Sequence, residues 1–166
     1  MKLFRLLLFF IFCSSIAFAQ NTFVLKNPDT LKLKQEFLKS DYGMNIVLTY
    51  LERNYKETSA KTAIKTDPEF NNQECGFTKK FEFNIEYTLY ECGEAAPKTE
   101  KITFQKTSLV NLKKWIELMH ASEVDEILNV WYINGTEYGP KDKEAGCYYK
   151  IEQTKTESII SIWCGC

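Results

Sequence analysis

The middle of the chain shows a strict alternation of apolar and other side chains. Between residues 81 and 90, every second side chain is apolar. A period of two is typical of a strand with one buried face, so the pattern predicts a single strand of ten residues. Its apolar positions are Phe81, Phe83, Ile85, Tyr87 and Leu89.

A second strand is predicted at residues 101–106, where Ile102 and Phe104 point to the same side. Placing Leu89 opposite Ile102 also places Tyr87 opposite Phe104, so the apolar faces of the two strands agree. We therefore predict that the two strands form an antiparallel pair.

The end of the chain predicts a hairpin whose register can be derived from its side chains. Strands at residues 147–153 and 158–164 flank a turn centred between Lys155 and Thr156. In one register all the apolar partners share a face, and a slip of one residue would scatter them. The opposed residues are then Cys147 and Cys164, Tyr148 and Trp163, Tyr149 and Ile162, and Ile151 and Ile160. The pair Tyr148 and Trp163 lies on the face opposite to the other three pairs.

Two segments have the spacing of amphipathic helices. Ser108 is a suitable N-cap for a helix whose apolar residues recur every three or four positions. Those residues are Leu109, Leu112, Trp115, Ile116 and Met119. Residues 44–55 also fit a helix, capped by Ser40 or Asp41, with a strand at residues 45–51 as the alternative.

A further hairpin and a loop complete the predicted elements. Residues 127–133 predict a strand, and the Asn134-Gly135 turn after it would place Trp131 opposite Tyr138. The polar residues 56–72 predict a long loop. The order of elements indicates an α+β fold, with an antiparallel sheet of about five to six strands and one or two helices packed on one face.

The first 19 residues have the organisation of a secretory signal peptide. Lys2 and Arg5 precede an apolar run at residues 6–13, and residues 17–19 read Ala-Phe-Ala. We expect cleavage after Ala19. A membrane anchor would need about 20 apolar residues, so the run is too short for one. The sequence therefore predicts export to the periplasm or the cell exterior, with residues 20–166 forming one disulfide-stabilised domain that is not embedded in a membrane.

Removing the signal changes the charge of the chain. Two of the 21 basic residues leave with it, so 19 remain against 22 acidic residues and the net charge becomes −3. Nucleic-acid binders usually carry a basic excess, which argues against that class of partner. Arg53 is the only arginine left. Because bidentate phosphate and carboxylate recognition relies on arginine, a site for a nucleotide or a polyanion is not expected.

Five cysteines remain after cleavage, and disulfides are the default expectation in an oxidising compartment. The hairpin register predicts a bond between Cys147 and Cys164, because directly opposed residues lie within disulfide range. The others, Cys75, Cys92 and Cys166, form a further bridge or leave a free thiol.

Cys75 and Cys92 are not expected to pair with each other. The predicted ten-residue strand between them would span about 30 Å and place them at opposite ends. Only a sharp reversal at residues 76–80 would bring them together. We therefore prefer a bridge from Cys166 to Cys92 or Cys75.

Two enzymatic alternatives follow from the same residues. Cys164-Gly165-Cys166 could carry out thiol–disulfide exchange, although the register already uses Cys164. A small hydrolase would need two carboxylates across a cleft, and pairs such as Glu82 and Glu86 fit a solvated strand face better. His120, the only histidine, is expected at the end of the second helix. No motif for a cofactor, a metal ion or a catalytic centre is present.

Tyr148 and Trp163 form the candidate binding patch. If helices cover the other face, this pair is exposed and suits a sugar, a peptide or a partner protein. The alternative is an ordinary cross-strand pair that stabilises the sheet. The sequence thus favours an exported, non-catalytic binding or structural module whose ligand is a protein, a peptide or a glycan.

Overall fold

A computed structural model describes residues 23, 25–40, 44–67, 71–92, 98–120, 136–139 and 146–165 of the 166-residue chain. These residues form three α-helices, seven strands and one 3₁₀ turn. In chain order the elements are α1 (Thr30–Lys39), α2 (Ile46–Asn54), β1 (Thr62–Asp67), β2 (Gln73–Phe81), the 3₁₀ turn (Glu82–Asn84), β3 (Ile85–Tyr90), β4 (Lys98–Gln105), α3 (Leu109–His120), β5 (Glu137–Tyr138), β6 (Gly146–Gln153) and β7 (Glu157–Gly165).

The seven strands form one antiparallel sheet in the order β1-β2-β3-β4-β7-β6-β5. This confirms the α+β class predicted from the sequence, with one more strand and one more helix than expected. The strand β1 lies in the segment that the sequence predicts as a loop. Its side chains are exposed on both sides, so it carries no apolar alternation from which a strand could be predicted.

The predicted ten-residue strand at 81–90 is wrong, because the chain reverses in the middle of it. Phe81 ends β2 and pairs with Ile85, the first residue of β3. Phe83 and Asn84 make the turn with positive φ angles of 59° and 58°. A three-residue turn keeps the parity of the flanking strands, so the alternation of apolar residues continues through the hairpin and hides it.

This reversal also corrects the predicted cysteine pairing. Gly76 pairs with Tyr90 in the β2–β3 hairpin. Cys75 precedes Gly76 and Cys92 follows Tyr90 by two residues, and their Cα atoms are 4.9 Å apart. They form a disulfide with each other, and neither is bonded to Cys166. The chain turns at residues 82–84, later than the segment in which a reversal was considered.

The register of β3 and β4 differs from the prediction by two residues. Tyr87 pairs with Ile102, and Leu89 pairs with Glu100. A shift of two leaves every side chain on its predicted face, so the apolar pattern cannot distinguish the two registers. The shift brings a carboxylate, that of Glu100, onto the buried face.

The C-terminal hairpin has the predicted register throughout. Cys147 pairs with Cys164, Tyr149 with Ile162 and Ile151 with Ile160. The Cα atoms of Cys147 and Cys164 are 4.0 Å apart, and the two residues form a disulfide.

The helical prediction for residues 44–55 is confirmed, and the alternative strand is wrong. Asn45, rather than Ser40 or Asp41, caps α2 by accepting a hydrogen bond from the Leu48 N–H at 2.8 Å. The helix α1 is missing from the sequence prediction. Its N-cap is Asp29, a residue that also suits a turn after Pro28, and turn and cap preferences overlap.

The predicted helix after Ser108 is also present, and it anchors the core. Trp115 is fully buried on α3, with its ring centroid 5.0 Å from that of Phe104 on β4 and 5.1 Å from that of Tyr50 on α2. Helix α3 therefore meets one face of the sheet through an aromatic contact, and α2 packs on α3 through another. Buried Leu33 and Phe37 on α1 extend the same core.

Several predictions concern residues that the structure does not describe. They are the signal peptide and its cleavage after Ala19, the strand at 127–133 with Trp131, the Asn134-Gly135 turn, and the partner of Cys166. Tyr138, the expected partner of Trp131, lies on β5 and pairs with Tyr149. None of the helices in the described residues is long and apolar enough to cross a membrane.

Removing either disulfide should lower the free energy of unfolding by about 3 kcal/mol, because each bond closes a loop of 17 residues. The test compares Cys75→Ala/Cys92→Ala and Cys147→Ala/Cys164→Ala with the parent protein in urea unfolding. Cys166→Ala serves as the control and should stay within about 0.5 kcal/mol of the parent. A double variant as stable as the parent would contradict the disulfide it removes.

Candidate binding face

The sheet has two faces of different character. The face toward the helices, here called the helix face, carries the apolar side chains Tyr87, Ile102, Ile160 and Ile151, which lie opposite one another on four strands. The other side, here called the open face, carries charged, hydroxyl and aromatic side chains. The alternation of side chains along each strand produces this division.

A row of residues crosses the open face at right angles to the strands. It contains one residue from each of five neighbouring strands, and it is here called the aromatic row. In order from β2 to β6 its members are Gly76, Tyr90, Thr99, Trp163 and Tyr148. Trp163 is 41% exposed and Tyr90 is 38% exposed, and they are the two exposed aromatic residues of the described part of the chain.

Tyr148 and Trp163 lie together as the hairpin register predicts. Their ring centroids are 5.6 Å apart, and the ring planes are inclined at 46°. They lie on the face opposite the Cys147–Cys164 disulfide. Tyr148 is half-buried while Trp163 is exposed, so the pair is an accessible surface with one ring held in place. Its role in binding stays a prediction.

Glycine residues support the outer rings of the aromatic row. A Cβ atom at Gly76 would lie 2.8 Å from Cδ1 of Tyr90, and one at Gly139 would overlap the ring of Tyr148. Each ring therefore lies directly on backbone that has no side chain. The Tyr90 ring thus packs against Gly76, and the Tyr148 ring packs against Gly139.

Tyr90 and Thr99 are members of this surface that the sequence does not reveal. Tyr90 falls at a polar position of the predicted strand, and nothing local relates it to Trp163. The two residues share a row because β4 pairs with β3 on one side and with β7 on the other. The hydrophobic pattern predicts the β3–β4 pair but not its register, so it does not place Tyr90 opposite Thr99.

A polar row lies next to the aromatic row on the open face. Thr88, Lys101, Ser161 and Lys150 are opposed across β3, β4, β7 and β6. Lys150 Nζ lies 2.8 Å from Glu152 Oε1. Their hydrogen bond raises the pKa of Lys150 and lowers the pKa of Glu152. Both side chains stay charged in the ordinary pH range and neutralise each other.

An open depression of about 450 Å³ continues the face beyond the polar row. Lys101, Thr103 and Ile159 form part of its wall, and Lys80 and Glu86 lie at its side. Lys80 Nζ and Glu86 Oε2 are 3.2 Å apart. The open face thus offers rings, hydroxyl groups and charges beside a shallow hollow, which suits the binding of an extended polar ligand.

A buried polar chain crosses the helix face. Asn45 Nδ2 donates to the Tyr87 hydroxyl at 2.8 Å, and that hydroxyl donates to Glu100 Oε2 at 3.0 Å. Lys98 Nζ lies 2.8 Å from the other oxygen of Glu100. Burial raises the pKa of Tyr87 far above its ordinary value, and the Glu100 charge adds to this effect. The chain joins α2 to β3 and β4, so its geometry indicates a structural role.

The remaining residues singled out in the sequence are dispersed. His120 is the last residue of α3. Glu82 lies on the 3₁₀ turn and accepts a hydrogen bond from the Lys56 N–H, whereas Glu86 lies on β3, so the two are not on one strand as predicted. Cys164 is bonded to Cys147 rather than to Cys166. Among the residues that the structure describes, no cluster of His, Cys, Asp and Glu could hold a metal ion.

Comparisons of the chain with models of known protein families, with curated proteins and with solved structures found no match. Function must therefore be inferred from the side chains of this chain and their arrangement. Of the surfaces described above, the open face has the exposed rings and polar groups from which a ligand could be recognised.

Replacing Tyr87 with Phe should lower the free energy of unfolding by about 1–3 kcal/mol, because it leaves a buried carboxylate oxygen and a partly buried amide without this partner. Tyr90→Phe is the matched control on the same strand and should change stability by less than about 0.5 kcal/mol. The raised pKa of Tyr87 stabilises the fold below about pH 10, and this contribution declines as the pH rises further. Equal stability of the two variants in chemical denaturation would contradict a structural role for the buried chain.

Gly139→Ala should destabilise the protein by about 1–3 kcal/mol, because the new methyl group overlaps the Tyr148 ring. Tyr148→Ala removes that ring, so the double variant should lose less than the sum of the two single variants. A double-mutant cycle measured by urea unfolding gives the coupling energy. Additive losses would show that Gly139 does not support Tyr148.

Proposed function

We propose that this chain is an exported, non-catalytic module that binds a carbohydrate chain on the open face of its sheet. The observation that carries the proposal is the aromatic row, in which Tyr90, Trp163 and Tyr148 are presented along one line across four central strands. Exposed apolar side chains that are grouped on one face and bordered by polar residues can mark a binding site.

The spacing of the row supports an extended ligand. Neighbouring strands lie about 4.8 Å apart, so the backbone positions of Trp163 and Tyr90, which are separated by β4, are about 10 Å from each other. Thr99 lies between them, and its small side chain does not block a ligand that contacts both rings. A chain of sugar rings can place its apolar C–H faces on such separated aromatic rings, and the row would then run beneath the chain.

Hydroxyl groups next to the rings match the edges of a sugar. Thr99 and Ser161 make no side-chain hydrogen bond to other residues that the structure describes. A sugar ring is apolar on its faces and carries hydroxyl groups around its edge. A sugar stacked on Trp163 would therefore have the hydroxyl groups of Thr99 and Ser161 beside it as donors and acceptors. A few placed polar groups around an apolar contact are typical of small-ligand recognition.

The position of the row within the sheet favours a carbohydrate over a peptide. An extended peptide usually joins a sheet through the free backbone groups of an edge strand. The row lies mainly on β3, β4, β7 and β6, each of which is paired on both sides. Their backbone groups are used in the sheet, so only side chains remain to contact a ligand.

Export of the protein is part of the same proposal. The signal-like residues 1–19 predict it, and two disulfides within the described residues suit an oxidising compartment. A module outside the cytosol would meet carbohydrate polymers at a cell surface or in the medium.

Electrophoresis in native gels that contain a soluble polysaccharide tests this function. The parent protein should migrate more slowly in a gel with glucuronoxylan or xyloglucan than in a gel without polymer. Trp163→Ala should weaken the retardation about tenfold, because a lost aromatic contact of about 1.5 kcal/mol corresponds to that factor.

Leu31→Ala provides the matched control, since Leu31 is a large exposed apolar residue on α1, away from the open face. It should bind like the parent. Unchanged mobility of the parent protein in every polysaccharide gel would overturn the proposed function, and so would full retardation of Trp163→Ala. Binding of proline-rich peptides with the same dependence on Trp163 would assign the face to a peptide instead.

A further inference from the structure

Lys101 occupies the centre of the open face. Thr88 and Ser161 lie directly opposite it on the two neighbouring strands. Tyr90 and Trp163 are its diagonal neighbours toward the aromatic row, and diagonal neighbours are about 7–8 Å apart. A lysine side chain can cover that distance. Its ammonium group can therefore reach the edge of any ligand that lies on either ring.

Charge distinguishes Lys101 from the two other lysines on the central strands and β2 of this face, while Lys65, which also makes no ion pair with described residues, lies three strands away on β1 opposite Gly76. Lys80 is paired with Glu86, and Lys150 is paired with Glu152. The side chain of Lys101 makes no ion pair, hydrogen bond or ring contact with the residues that the structure describes. Its described electrostatic neighbour is Glu152, whose carboxylate already binds Lys150. The open face thus has an uncompensated positive charge beside its aromatic row.

Hydroxyl groups surround this ammonium group. Thr99 and Thr103 precede and follow Lys101 on the same face of β4, and Ser161 lies opposite on β7. A carboxylate on the ligand could accept hydrogen bonds from the ammonium group and from a neighbouring hydroxyl at once. Hydrogen bonds that involve charged groups are stronger than neutral ones, so such a contact would distinguish acidic from neutral ligands.

We infer that the carbohydrate bound by this face carries an isolated carboxylate, as in a glycan with scattered uronic acid residues, and that Lys101 binds this group. The inference rests on the proposed function and names the class of ligand. A polymer charged at every unit would need several cations along the row. Arg53, the arginine expected in the mature chain, lies on α2 in an ion pair with Glu36, so it is not available to such a polymer.

The test uses one polysaccharide in two chemical forms. Glucuronoxylan carries separate glucuronic acid residues, and reduction of their carboxylates to hydroxymethyl groups leaves the rest of the chain unchanged. In affinity electrophoresis the parent protein should bind the native form about tenfold more tightly than the reduced form. The preference should decrease when salt is added, because exposed charges are screened.

Lys101→Gln should bind both forms equally, with the affinity that the parent protein has for the reduced polymer. Lys155→Gln is the matched control, since Lys155 is an exposed lysine in the turn between β6 and β7, outside the aromatic row. It should keep the full preference of the parent for the native form. The substitution at position 101 lies on an exposed side chain, so we expect the variant to fold.

The outcomes separate this inference from the proposed function. Equal binding of both forms by the parent protein, with loss in Trp163→Ala, would overturn the role of Lys101 and leave the carbohydrate-binding function intact. A preference that persists in Lys101→Gln would also overturn it. If neither form is bound, the proposed function fails, and the inference fails with it.

Discussion

The pairing of β4 with β3 on one side and β7 on the other is the constraint on which the structure depends. It joins the hairpin at β2 and β3 to the hairpin at β6 and β7, which are far apart in the sequence. Because side chains alternate along a strand, the registers of β4 with these two strands determine which residues are neighbours on both faces of the sheet. Ile102 lies in the apolar core under α3, and its neighbour Lys101 lies at the centre of the open face.

The C-terminal hairpin could be predicted from the sequence, whereas the β2–β3 hairpin and the pairing of β4 with the distant β7 could not. The register of β6 and β7 follows from a short turn and several matched apolar pairs. The β2–β3 hairpin was missed because its three-residue turn, with Phe83 and Asn84 at positive φ, preserves the alternation of apolar residues. The predicted β3–β4 register differs from the observed one by two residues. A shift of two keeps every side chain on the same face, so the hydrophobic pattern cannot detect it.

Some residues of the candidate site could be predicted from the sequence, and others could not. Tyr148 and Trp163 belong to one hairpin, so their contact could be derived from the sequence alone. Tyr90, Thr99 and Lys101 join them only through the central pairing, which depends on packing between segments that are distant in the chain. The strand β1 could not be predicted either, because a strand that buries neither face shows no alternation of apolar and polar residues.

The two disulfides lie at the ends of the aromatic row. Cys75 adjoins Gly76, and Cys147 and Cys164 adjoin Tyr148 and Trp163 in sequence. The same covalent bonds that close the hairpins therefore hold the two ends of the proposed binding surface in position. A reduced chain would lack these two cross-links, and the strand pairing alone would then hold the ends of the face. If the protein is exported as proposed, the cross-links would form in the oxidising compartment, after synthesis.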